Sequence, residues 1–275
     1  MYEIVESHAI SDTIYEMWIR APQVAHNAKS GQFCIIHINQ SSERIPLTIS
    51  DIDGDMIRIY FMTVGTTTKR LSTLSSGDFI RDVVGPLGIP SEIDSGSKTV
   101  VIVGGGIGIA CTPIIAKTAK SLGNYVIGII GARNKDLIIL EDEMRNLCDE
   151  LFVTTDDGSY GIKGYVGDQL KKLCDSGRCI DKVWIIGSTM MMKVTSEVTR
   201  SYGIKTYASL NPIMVDGTGM CGSCRVIVDG NMKFACVDGP EFDAHKVDWT
   251  DLLLRQRMYL YEEKQSLECY CMGVK

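Results

Sequence analysis

One carboxylate and three thiols recur along a glycine-rich run with the spacing Asp216-x4-Cys221-x2-Cys224-x11-Cys236, beginning DGTGMCGSC. Thiolates and carboxylates are iron ligands. The spacing is that of a plant-type 2Fe-2S loop with aspartate where the first cysteine would stand. Gly217, Gly219 and Gly222 let such a loop wrap tightly, because they carry no side chain and accept positive φ. Electron transfer is the chemistry this run supports. Cys221 and Cys224 alone could also be a redox dithiol or half of a zinc site. A zinc ribbon needs a second Cys-x-x-Cys pair, and the chain has none. Cys269 and Cys271 have the wrong spacing for one; either thiol could replace Asp216 as fourth ligand, and otherwise they read as part of a flexible tail.

A second feature is VVIVGGGIGIA, Val100 to Ala110, a buried strand running into a glycine turn that opens a helix. Gly105, Gly106 and Gly108, ahead of Ile109, would let backbone amides approach a pyrophosphate at the positive end of that helix. The run is not a strict G-x-G-x-x-G, and no ribose-binding acid follows about twenty residues on; the next strand ends at Arg133. Two further strand ends supply context: TTDDG with Asp156 and Asp157, and IGSTMMM with Gly187 and Met191. Open α/β sheets bind ligands outside the carboxyl ends of their strands, so these loops would face one crevice. The methionine triplet reads equally well as the start of a core-packing helix.

Nearer the N-terminus, Arg44-Ile-Pro-Leu-Thr-Ile-Ser50 places a cation, a rigid proline and two hydroxyls on one strand. Such a set can hold a flavin, with Arg44 toward phosphate and the Pro46-Leu47-Thr48 backbone and Thr48 toward the ring edge. Gly65-Thr66-Thr67-Thr68 adds a second phosphate-friendly turn opening a short helix.

These residues need a scaffold. The first ninety-odd residues carry short alternating apolar runs between turn signals, the pattern of a small antiparallel barrel. From residue 99 onward strands alternate with helical stretches four times, the pattern of a parallel α/β sheet. The expected organisation is therefore a barrel over 1–96, an α/β domain over 97–210 and a cluster-binding lobe with the tail over 211–275, with a linker near Ser91 to Ser97. A length of 275 residues suits this, and 45% hydrophobic and 23% charged residues are those of a globular protein. The net charge of −6 argues against a nucleic-acid binder. The longest uncharged stretch, Thr99 to Ala116, holds too many glycines for a membrane span. Ten cysteines with no apolar leader point to the cytoplasm. His8, His26, His37 and His245 show no ligand spacing, and no nucleophile elbow is present.

The order RIPLTIS, GTTTKRL, GPLG, GGGIG and then a short-spaced cluster loop resembles the ferredoxin-NADP reductase superfamily over essentially the whole chain. Within it the C-terminal cluster looks like that of dihydroorotate dehydrogenase electron-transfer subunits. Ala208 to Val226 and Phe234 to Trp249 are closer to the small, alpha-subunit family of NADH-dependent reduced ferredoxin:NADP oxidoreductases. The resemblance implies an FAD-binding β-barrel, a parallel-sheet nucleotide-binding domain and a C-terminal iron-sulfur lobe. It implies FAD at Arg44, Pro46, Leu47, Thr48, Ser50, Phe61, Thr63, Gly65, Thr66, Thr67 and Thr68. NAD(H) would lie at Gly105, Gly106, Gly108, Ile109, Arg133, Asp156, Asp157, Gly187 and Met191, and a 2Fe-2S cluster at Asp216, Cys221, Cys224 and Cys236. A large flavin and iron-sulfur subunit would be the partner and the route to ferredoxin, with electron bifurcation as an extension. The dihydroorotate dehydrogenase branch uses cysteine at the first ligand, so Asp216 separates the two. Gly187-Ser188 departs from the Gly-Pro of many members. An electron-transfer subunit for dihydroorotate dehydrogenase and a redox-sensing regulatory module are the alternative readings.

Overall fold

The computed structural model describes residues 1–272. The last three positions of the expected C-terminal segment, 273–275, lie outside the described residues. The chain opens with β1 (Tyr2–Ala9), β2 (Ile14–Arg20), a single turn α1 (Pro22–Ala25), β3 (Phe33–His37), β4 (Arg44–Thr48), β5 (Asp51–Asp53) and β6 (Met56–Met62). Helix α2 (Thr66–Leu71), β7 (Phe79–Ile80) and β8 (Asp82–Leu87) follow. The strands form two antiparallel sheets, β5-β6-β2-β1-β7 and β4-β3-β8. They share a core that includes Ile4, Ile14, Ile19, Ile57 and Ile59.

Strand β3 is buried on both faces, which is why its sequence reads as a continuous apolar run. Side chains alternate along a strand. Cys34 and Ile36 enter the barrel core, whereas Phe33 and Ile35 join a second core with Val101, Val103, Cys224 and Cys236. Strand β6 alternates in the same way: Ile57, Ile59 and Phe61 point into the barrel, and Arg58 and Tyr60 lie on the other face.

The parallel sheet starts at β9 (Thr99–Gly105), followed by a 3-10 turn, Gly106–Cys111, and α3 (Thr112–Ser121). Then come β10 (Tyr125–Ala132), α4 (Glu141–Leu147), β11 (Glu150–Thr155), β12 (Ile162–Lys163), α5 (Val166–Asp175), β13 (Lys182–Ile186), α6 (Thr189–Ser201) and β14 (Lys205–Ser209). The hairpin β15 (Arg225–Val228) and β16 (Asn231–Phe234) turns at Asp229-Gly230, both at positive φ, as a two-residue loop requires. After α7 (Ala235–Asp238), β17 (Glu241–Asp243) adds antiparallel to β14, completing the order β12-β11-β10-β9-β13-β14-β17. The cluster segment is thus hydrogen-bonded into the nucleotide sheet.

Helices α8 (Trp249–Arg255) and α9 (Leu260–Cys271) end the described chain. The tail expected to be flexible is instead a helix laid on α2. Thr66 Oγ1 and Ser266 Oγ are 2.9 Å apart, Arg70 lies 5.4 Å over the Tyr270 ring, and Lys69 Nζ is 3.8 Å from Cys271 Sγ. The run LYEEKQSLECYC, free of glycine and proline, is the signal that proximity to the chain end had masked. Among the described residues no helix is long and apolar enough to cross a membrane.

Candidate functional site

Strands β9, β11 and β13 belong to one parallel set, so their carboxyl ends share an edge of the sheet. The 3-10 turn after β9 carries Ile109 and Ala110 into the barrel core and brings Cys111 beside the Thr48 hydroxyl. That edge therefore faces β4, which brings the candidate nucleotide loops near the β4 members of the candidate flavin set.

The glycines on the sheet bank have two distinct jobs. A Cβ at Gly105 or Gly187 would collide with the Met191 thioether, and one at Gly108 would lie 2.5 Å from the Ile186 carbonyl oxygen. These three allow the loop to pack on the end of β13. Gly106 is different: its φ is +57° and nothing lies within 4 Å of an added Cβ. Its backbone is open to approach from outside. The methionine triplet divides, with Met190 exposed, Met191 over the glycines and Met192 fully buried. Arg133 is exposed at the end of β10, and its charge opposes the burial that raises the Asp156 carboxyl. Asp157 accepts from the Ser159 amide at 2.9 Å and shapes its own turn.

On the barrel bank β4 pairs with β3 from Arg44 opposite His37 to Thr48 opposite Phe33. Arg44 is exposed and Pro46 and Thr48 are half-buried. Ser50 Oγ is buried with no partner among the described residues, an orphan hydroxyl that a polar cofactor group would satisfy. Phe61 offers no ring to the cleft: it is buried in the barrel and stacks on Tyr15 at 5.7 Å, because β6 turns its odd-numbered residues inward. Thr63 donates its amide to the Thr13 carbonyl at 2.9 Å and continues the β6 edge. In the Gly65 turn the hydroxyls are largely committed. Thr68 reaches back to the Gly65 amide at 3.1 Å, Thr67 donates to the Glu43 carboxylate at 3.0 Å, and Thr66 meets Ser266. What the turn retains for a phosphate is the free first amides of a helix.

The cluster loop lies against the other side of β3. Gly217 sits at φ +77°, and a Cβ there would be 2.6 Å from Leu87 Cδ1 and 2.9 Å from Ile35 Cγ1. Gly219 and Gly222 are also at positive φ. Asp216 accepts from the amides of Thr218 at 2.7 Å and Cys221 at 2.8 Å, which holds its carboxyl below the usual range. The Ser223 hydroxyl, 3.3 Å from Cys221 Sγ, lowers that thiol. Cys224 and Cys236 are buried with their sulfurs 3.2 Å apart, and burial followed by the Cys224 neighbour pushes Cys236 up to about 12. Among the described residues no three His, Cys, Asp or Glu converge on a single-metal site. Cys271, on α9 against Lys69, is not among the loop's neighbours.

Sequence reasoning missed two residues of the cleft region. Cys111 is pushed up to about 11, first by burial, and Glu241 is raised to about 7, first by burial. Cys111 closes the glycine run and Glu241 falls within Phe234 to Trp249, but neither is singled out by type or spacing.

Residues 211–248 match the profile of the iron-sulfur cluster binding domain of dihydroorotate dehydrogenase B. The chain is 48% identical over 97% of its length, and 94% of the relative, to a dihydroorotate dehydrogenase B electron transfer subunit homolog of Thermotoga maritima. It is 34% identical to the dihydroorotate dehydrogenase B electron transfer subunit of Streptococcus thermophilus, covering 89% of this chain and 96% of that one. A solved structure of NADH-dependent reduced ferredoxin-NADP oxidoreductase, studied for flavin-based electron bifurcation, contains a chain 46% identical to this one, with a TM-score of 0.93 and 98% of each chain covered. At 20% identity, a cytochrome P450 reductase of Amycolatopsis shares the fold, with a TM-score of 0.61 over 73% of this chain and 65% of that one.

Proposed function

Because the chain belongs to the family of dihydroorotate dehydrogenase B electron-transfer subunits and their homologues, we propose that it is the flavin and iron-sulfur subunit of a ferredoxin- and NADP-linked oxidoreductase. It draws hydride from NADH and delivers single electrons to a larger partner subunit. The observation that carries this choice of branch is Asp216, an aspartate at the first ligand position, held in the loop by two amides. Bound FAD supplies a hydride acceptor that also releases electrons singly, and a 2Fe-2S cluster supplies a one-electron carrier.

The chain's own work is placement and exclusion of water. Arg44 would offer a guanidinium to phosphate, the Leu47 and Thr48 backbone beside Pro46, with the Thr48 and Ser50 hydroxyls, would offer donors to a ring edge, and the Thr66 and Thr67 amides that follow Gly65 would be available to a second phosphate. Gly106 admits a dinucleotide backbone, with Gly105, Gly108 and Ile109 fixing the turn. Gly187 and Met191 bound the nicotinamide side, and Arg133, Asp156 and Asp157 the ribose end. The nearby Asp156 partly answers the Arg133 charge, which favours NAD over its 2′-phosphorylated form. Asp216, Cys221, Cys224 and Cys236 would hold the irons. Phe33 and Ile35 keep the interval between β4 and the loop dry. Ten unpaired thiols suit a reducing cytoplasm.

Anaerobic visible and paramagnetic resonance spectra before and after stoichiometric NADH, and separately NADPH, test the reading. Flavin bleaching with a reduced 2Fe-2S signal after NADH is expected; no change with either nucleotide overturns the relay. The cluster-domain match favours one second reading, service to a partner that oxidises dihydroorotate. Co-purification with a dihydroorotate-oxidising enzyme would select it.

A further inference from the structure

The three-stranded sheet β4-β3-β8 sets a cation, an imidazole and a carboxylate in one row. His37, at the end of β3, stands opposite Arg44 on β4 and opposite Asp82 on β8. Directly paired residues share a face, with Cβ atoms about 4.5–5.5 Å apart. The row therefore continues the face on which Pro46 pairs with Ile35 and Thr48 with Phe33. His37 Nδ1 and Asp82 Oδ2 are 2.9 Å apart, and that hydrogen bond holds the Asp82 carboxyl below the usual range. Arg81 Nε lies 3.4 Å from the same oxygen. The His37 side chain is only 14% exposed, so its rotation is restricted by packing as well as by Asp82. Tying Nδ1 to a carboxylate turns Nε2 away from β8, and Nε2 meets no hydrogen-bond partner among the described residues.

We propose that His37 is a second phosphate-binding residue of the flavin site, its Nε2–H joining the Arg44 guanidinium on one phosphate while Asp82 fixes the ring; the inference rests on the reading of Arg44 given above. The four residue steps from Thr48 to Arg44 cover roughly 13 Å of strand, so the ring-edge donors and the phosphate cation of that reading stand at opposite ends of β4. His37 belongs to the phosphate end. With Nδ1–H donated to Asp82, Nε2 carries a hydrogen only in the imidazolium. A carboxylate on one ring nitrogen and a phosphate on the other favour that form, and the Arg44 and Arg81 charges oppose it. The pair would then differ from Arg44 in kind: the guanidinium is exposed and adjustable, whereas the imidazole is half-buried and held in place.

The full chain, stripped of flavin and titrated with FAD or with riboflavin, allows a direct test, because riboflavin has the ring and no phosphate. His37→Gln should raise the FAD dissociation constant about tenfold and leave that of riboflavin unchanged; Asp82→Asn should do the same to a smaller degree, and His37→Arg should recover most of the loss. A folded His37→Gln that binds FAD like the wild type, while Arg44→Ala binds it weakly, overturns the proposal alone, as does equal weakening of FAD and riboflavin. If His37→Gln does not fold, the wild-type chain labelled with ¹⁵N-histidine decides. At about pH 8, above the ordinary histidine value, FAD should bring out a second ring N–H signal from one histidine, and riboflavin should not. The same imidazole signals with both flavins overturn the proposal equally. Arg44→Ala with wild-type affinity for FAD overturns the phosphate reading of Arg44 and the proposal together.

Discussion

The barrel–sheet seam is closed by side chains and the cluster loop by backbone. In the seam Arg58, on the outer face of β6, makes a two-pronged contact with Glu143 of α4 at 2.6 and 3.0 Å. Asp51 lies 3.5 Å from the same guanidinium and takes Lys117 at 3.0 Å, while the Trp18 and Tyr60 rings flank Arg58 at 5.4 and 5.5 Å. In the loop Asp216 is answered by two amides, three glycines supply positive φ, and Met220 at the tip is 88% exposed. The seam is held by side-chain contacts of its own, with Arg58 Nε left buried and unpartnered among the described residues. The loop has donors and geometry but little packing of its own at the tip, so binding of iron is what stabilises it.

The sharpest way to break this contrast is Cys236→Ser. Loss of all cluster absorbance is expected while NADH still bleaches the flavin; loss of both would show that the two regions are not independent. Arg58→Ala attacks the other side. It strands Glu143 at a half-covered seam, with Asp51 left to Lys117, and should cost about 3 kcal/mol, read as a lower denaturation midpoint with the cluster spectrum intact. Gly217→Ala forces a Cβ into Leu87 and Ile35 at a positive φ and should cost about 1–2 kcal/mol, seen as faster loss of cluster on chelation with seam stability unchanged.

The smallest effect is a pH slope. The raised pKa of Glu241 means the folded chain binds more protons than the unfolded one between about 4.5, the ordinary glutamate value, and about 7. Its protonated form is the one the fold favours, so stability should fall as pH rises through that window. Glu241→Gln should remove that slope in urea titrations; an unchanged slope would assign it to other groups.

Much of this was legible in the chain. VVIVGG, YVIGIIGA, LFVTT and VWIIG read as parallel strands because burial on both faces makes them continuously apolar. The cluster loop was legible because ligand spacing is local. What stayed hidden depends on partners far away in sequence. Arg58 reads as an exposed strand residue until α4 covers it, and Phe61 reads as available until the β6 register turns it inward. Three-residue β17 carries no periodicity to detect, so neither its pairing with β14 nor the position of Glu241 could be anticipated.

Strand β3 adds a constraint on the order of events during biogenesis. Its odd-numbered residues floor the cluster loop while its even-numbered ones fill the barrel, so the floor exists only once β4 and β8 have flanked it. Iron insertion therefore has to wait for a closed barrel, and a lesion deep in the barrel, such as Ile36→Asp, would emerge from the cell as a protein short of iron.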